Sequence, residues 1–195
     1  MTEDPELAIR ARCDANEWER AATLTIEQYG PELLSFLIAM ARDQTDGLDA
    51  YSQLIEMLWR GLPRFRWQSS LRTWCYATAR HAMDHVRRAP HRRAGRQIAL
   101  SEAPEVARAA EAVRTKTVEY LQTAAKDRVN ELRSKLTDEE QMLLVLRVDR
   151  GLAWRDVVRV MADEDDLEDV EIVRRAATFR KRFEGIKRRL REAIE

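Results

Sequence analysis

The segment DEDDLEDVEIVRRAATFRKRFEGIKRRLR, residues 163–191, sets an acidic run, Asp163 to Glu171, against a basic helix, Arg174 to Arg191. In that helix Val173, Ala176, Phe179, Phe183, Ile186, Leu190 and Ala193 recur at steps of three and four, the helical period, and predict one buried stripe. The opposite side carries Arg174, Arg175, Thr178, Lys181, Arg182, Arg188 and Arg189. A basic helix alone is more often a solvated outer face than a binding element. The residues ahead of it shift that balance. Asp138 to Val148 reads as an amphipathic helix opened by a Thr137/Glu140 capping box. Trp154 to Met161 reads as a short second helix, and Gly151 marks the turn between the two. Helix, turn, short helix, long basic helix is the order of a helix-turn-helix, whose last helix lies in the DNA major groove.

The rest of the chain supports an all-α protein of one or two domains. Its 195 residues include 45% apolar side chains, enough for a core, and only 6 Gly and 5 Pro punctuate it, with few strand signals. The 34 basic and 34 acidic side chains cancel, so any attraction to a polyanion must come from local patches. Cys13 and Cys75 cannot build a disulfide framework, and no Cys/His spacing resembles a zinc site. Met1 to Leu7 lacks the basic start and apolar run of a secretion signal. Leu33 to Met40 is too short to cross a bilayer. A cytoplasmic protein is the expectation.

Working back toward the amino terminus, Ala-rich sequence runs to Leu132, with apolar positions at Val106, Ala110, Val113, Val118, Leu121, Ala125, Val129 and Leu132. Their spacing is mostly helical and predicts a partly helical linker opened by Ser101. Glu17 to Met40 predicts one or two helices. Asp49 to Leu62 predicts another, with Leu54, Ile55, Leu58 and Trp59 inward and Pro63 ending it. A polar and aromatic loop, Arg64 to Ser70, leads into a helix from Leu71 to Arg88. That helix ends in a basic tail with Arg87, Arg88, His91, Arg92, Arg93 and Arg96, broken by Pro90 and Gly95.

Two groups could carry chemistry. His81 and His85 share a helical face with Asp84 nearby, but surrounding arginines oppose a cation, so polar contacts to phosphate or solvent are favoured over metal ligation. No phosphate loop, nucleophile elbow or carboxylate pair stands out, and neither an enzyme nor a cofactor is expected. The stretch Arg64, Phe65, Arg66, Trp67, Arg72, Trp74 and Tyr76 is more informative. Bases of single-stranded nucleic acid stack on rings while guanidinium groups hold phosphates. The competing reading makes Phe65, Trp74 and Tyr76 core residues. Trp74 is expected in the core, and Trp67 is the better candidate for an exposed ring.

At this point two motifs resemble a known family, the extracytoplasmic-function group of bacterial RNA polymerase sigma factors. RFRWQSSLRTWCYATAR, Arg64 to Arg80, is similar to the promoter-melting segment of that family's domain two, usually written RFRGESSFRTWLYRIAR. LTDEEQMLLVLRVDRGLAWRDVVRVM, Leu136 to Met161, and TFRKRFEGIKRRLREA, Thr178 to Ala193, resemble domain four and its recognition helix. The resemblance implies an amino-terminal tail over 1–15, domain two over 16–96, a linker over 97–127 and domain four over 128–195. It implies a dissociable subunit that binds core RNA polymerase and promoter DNA, often held inactive by an anti-sigma partner.

Carried over by position, Asp49, Ser52, Gln53 and Glu56 fall on the polymerase-binding segment, with Trp59 an aromatic inside the core. Arg66, Trp67, Ser69, Ser70, Arg72, Thr73, Trp74 and Arg80 fall on the minus-ten surface. Arg174, Arg175, Thr178, Arg180, Lys181, Arg182 and Arg188 fall on the minus-thirty-five surface. The chain departs from the pattern at Ser52 and Gln53, where the family commonly has Gln and Glu, and at Trp67, where it usually has Gly. His81 replaces a common Asn. The short link before the recognition helix is replaced by Ala162 to Ala177, which either forms a longer loop or extends that helix backward. The acidic run is expected to fold away from DNA or to mask the basic face. A stand-alone helix-turn-helix regulator and a degenerate sigma-like protein-binding module are the rival readings.

Overall fold

Helix α2, Trp18–Ala41, is the hub of the first of two compact units, residues 1–124 and 125–195, in a computed structural model that describes residues 4–88, 102–123, 135–162 and 167–192. All regular elements among the described residues are helical. Ala21, Ile26, Leu34, Phe36 and Leu37 of α2 are fully buried. Its apolar positions surround the helix instead of forming one stripe, as befits an element packed on several sides. Arg42, in the left-handed region at φ 58°, closes α2. Asp43 then caps α3, Gln44–Gly61, by accepting from the Asp46 N–H at 2.9 Å. Leu62–Arg64 adds a turn of 3₁₀-helix, and α4, Leu71–Arg88, packs against α3 and α2.

Several sequence expectations need correction. Helix α3 begins at Gln44 and not at Asp49, because the Asp43 cap supplies the start signal. Residues 1–15 are not all tail. Asp4 caps α1, Pro5–Asp14, Pro5 occupies its first turn, and Ile9 and Cys13 bury against the unit. The expected linker supplies α5, Pro104–Thr123, which packs on α2 within the first unit. Val106 and Val113 are buried, and Gly30 lets the Val113 methyls approach so closely that a Cβ there would lie 3.1 Å from them. Trp59 is only half-buried. The expected tail from Pro90 to Arg96, the Ser101 cap, and Ala125, Val129 and Leu132 lie outside the described residues.

In the second unit the Thr137/Glu140 capping box is formed, and it opens α6, Asp138–Leu144. The helix continues as a π-helical segment, Val145–Asp149, into the turn at Gly151, whose φ is +66°. Helix α7, Trp154–Met161, follows, then α8, Asp169–Glu192. Helix α8 thus runs backward well past Thr178, the second of the two forms open for the inserted segment. Ile172, Ala176, Phe183 and Ile186 are buried, while Val173 is 61% exposed. The stripe starts one residue earlier than its expected first member: Ile172 is four before Ala176, whereas Val173 sits a helical step of about 100° to the side. Val158, Ile172 and Ala176 form the centre, with Trp154, Leu167 and Phe179 packed around it. Ala193 lies outside the described residues.

Candidate nucleic-acid interface

Three rings form a stack where the 3₁₀ turn passes into α4. Phe65 lies between Trp67, with centroids 4.9 Å apart and planes tilted 50°, and Trp74, at 4.9 Å and 28°. All three are half-buried. Trp74, expected in the core, is therefore only half-buried and belongs to this stack. The inward place is taken by Tyr76, fully buried and edge-on to Phe36 at 5.2 Å. Trp67 has φ +57°, a left-handed conformation that a bulky side chain adopts at a cost of order 1 kcal/mol or more. This accounts for the glycine of the resembled pattern at that position. Here the ring's contacts offset the strain, and the loop holds an indole at the surface.

The serines and threonine behind the stack shape the loop. The Ser70 hydroxyl accepts from the Thr73 N–H at 3.1 Å and bonds the Thr73 hydroxyl at 2.8 Å, which caps α4. Thr73 is buried, so its role in the fold is structural. The Ser69 hydroxyl donates locally, to the Ser70 carbonyl at 3.2 Å. Arg66 is exposed. Arg72 is committed inward: Nε and Nη2 donate to the two Glu32 oxygens, both at 2.8 Å, and the guanidinium lies over the Tyr76 ring at 5.6 Å. The Glu32 bonds hold its pKa above the usual range despite partial burial. Arg80 is half-buried, 4.0 Å from Asp84. His81 and His85 line the same helix, and no group of potential metal ligands forms among the described residues.

Residues 25–92 match the family model for Sigma-70 region 2. The match takes in most of α2, all of α3 and α4, and the aromatic stack. It supports a sigma factor, with roles in RNA polymerase binding and promoter recognition. Helices α1 and α5 and the second unit fall outside it. No curated protein and no solved structure matches the chain. Within region 2, Asp49, Ser52, Gln53 and Glu56 share the half-buried surface of α3. Ser52 donates to the Leu48 carbonyl at 3.1 Å, and Glu56 pairs with Arg60 at 2.9 Å.

The basic helix α8 of the second unit is tied down by carboxylates. Glu171 accepts from Arg174 at 2.8 and 2.9 Å and from Arg175 at 2.5 Å; these bonds pull its carboxyl down to about 2. Asp169 pairs with Arg155, Glu139 with Arg182 and Glu140 with Arg189. Glu140 is partly desolvated, which opposes ionisation, yet the Thr137 N–H and Arg189 leave its pKa below the ordinary value. Trp154 sits edge-on to Phe183 at 5.5 Å and carries Arg147 and Arg180 over its ring, at 5.2 and 5.8 Å. Arg147 also donates to the Leu152 carbonyl at 2.8 Å, bracing the turn. The outward face keeps Thr178, Lys181 and Arg188 exposed. Lys181 and Arg188 have no carboxylate partner among the described residues.

Proposed function

We propose that the chain is a sigma factor of the extracytoplasmic-function type, which docks on core RNA polymerase and directs it to promoters. The observation that carries the reading is the surface stack of Phe65, Trp67 and Trp74 inside the segment that matches Sigma-70 region 2. Such rings suit an unstacked base, a contact worth about 1–3 kcal/mol per base, and a promoter must expose one to be opened. In this reading Asp49, Ser52, Gln53 and Glu56 of α3 meet the polymerase. Arg66, Ser69 and Ser70 flank the melted strand with the stack, while Arg72, Thr73 and Arg80 hold the frame behind it.

The second unit is then a helix-turn-helix. Helix α8 reads the minus-thirty-five element through Thr178, Lys181 and Arg188, with Arg174, Arg175, Arg180 and Arg182 released from their intramolecular contacts on binding. The acidic run is a mask: Asp169 and Glu171 already hold Arg155, Arg174 and Arg175. Asp163 to Asp166 lie outside the described residues. The cytoplasm is the setting this role requires; no described helix is long and apolar enough to cross a membrane.

Run-off transcription with purified bacterial core polymerase and a pool of promoter fragments from the source genome tests the proposal. Transcripts that require this protein are expected. No transcripts and no complex with core, beside an active control sigma factor, would refute it.

A further inference from the structure

The aromatic stack has a fourth member, and it comes from α1. The Arg10 guanidinium lies over the Trp67 ring, 5.2 Å from its centroid, and the side chain is exposed. Among the described residues Arg10 has no carboxylate partner. Helix α1 is not a loose appendage at this place. Ile9 is 1% exposed against the unit. Glu6, one turn earlier, accepts from the Arg72 N–H at 3.0 Å and from the Tyr29 hydroxyl at 3.2 Å, which ties α1 to α4 and α2 at once. The order across the surface is therefore Arg10, Trp67, Phe65, Trp74. A guanidinium on an indole spends one face on the ring and keeps its in-plane N–H groups free to meet a phosphate. Bases on aromatic rings with cations along the backbone is the arrangement by which proteins hold single strands.

We infer that α1 belongs to the single-strand-binding surface, with Arg10 as a phosphate contact for the strand whose base meets the Phe65, Trp67 and Trp74 stack. This rests on the reading of the stack given above. It extends the site beyond residues 25–92, to a helix that lies outside the family match. The Trp67 ring, on a left-handed backbone, thus contacts both Arg10 and Phe65.

The experiment measures binding of a fluorescein-labelled single-stranded oligonucleotide across a salt series, with the full-length protein alone and in complex with core polymerase. Arg10→Ala, Arg10→Lys and Trp67→Gly are compared with wild type. Trp67→Gly suits the local backbone and removes the ring. Trp67→Gly is expected to weaken binding about tenfold with its salt dependence kept. Arg10→Ala is expected to weaken it about three- to tenfold and to reduce the slope of log K against log salt by about 0.7, one phosphate contact. Arg10→Lys should recover the slope. Unchanged binding by Arg10→Ala, beside a clear loss in Trp67→Gly, would overturn the inference and leave the stack standing. Tighter binding by Arg10→Ala would overturn it by making α1 a cover over the ring. Wild-type protein that binds no single strand in either setting would remove the reading of the stack itself, and the inference with it.

Discussion

Arg72→Ala separates two roles for one residue. Its place in the segment that resembles a promoter-melting motif points to DNA, whereas the fold binds it to Glu32 through two N–H···O bonds of 2.8 Å. The side chains are 31% and 24% exposed, so the pair is neither a surface pair nor a buried one. Exposed pairs contribute about 0–1 kcal/mol. Removing one partner of a buried pair costs about 3–5 kcal/mol. Interpolation gives about 2 kcal/mol, with about 0.5 more for the contact over Tyr76. For a helical unit of this size that is a fall in melting temperature of roughly 6–10 °C. Thermal melts by circular dichroism on wild type, Arg72→Ala, Glu32→Gln and the double variant would read it. The cycle should give a coupling of about 1–2 kcal/mol. Oligonucleotide binding, measured well below the melting transition, should change little. A melt within about 1 °C of wild type, together with a tenfold loss of oligonucleotide binding, would place Arg72 on DNA and refute the structural assignment.

Three further outcomes are expected. Gly47→Ala should destabilise the first unit by about 1–3 kcal/mol in urea unfolding, because the new Cβ would lie 2.7 Å from the Ile38 Cα and neither backbone can yield cheaply. Glu171 should titrate near pH 2 by carboxyl-carbon NMR, rising toward 4.5 in Arg174→Ala/Arg175→Ala; since its folded pKa is depressed, its support of α8 is complete above about pH 4.5 and fades as pH falls through 2. Glu139→Gln should raise affinity for duplex promoter DNA about two- to fivefold in a low-salt fluorescence assay, by releasing Arg182 and removing a nearby negative charge, and unchanged affinity would show that the pair does not restrain α8.

The helices were legible wherever capping and period spoke together. Thr137 and Glu140 announced α6, Gly151 the turn, and the steps from Ala176 to Leu190 the face of α8. The start of α3 was missed because Asp43 sits beyond the apolar run, and α1 because its period is weak, although Asp4 followed by Pro5 was a usable signal. Trp74 misled for a different reason. Its helical position allows either side of α4, and only the packing of Phe65 against it, with Gly61 beneath, turns it toward the surface.

By itself the sequence determined an all-helical chain, the order of its helices from α2 onward, the aromatic and basic segment at Arg64 to Tyr76, and a basic helix with an acidic head. Those are properties of residues near one another, governed by hydrogen bonding and period within a few turns. Which charges are spent and which remain available was decided only by the tertiary structure. Glu32 reaches Arg72 across forty positions and Glu6 reaches its backbone across sixty-six. Glu139 meets Arg182 across forty-three, and Arg10 arrives over Trp67 from a helix that no local signal connects to that loop. An ion pair or a ring contact depends on distance in space, and chain spacing carries no information about it until the core has closed.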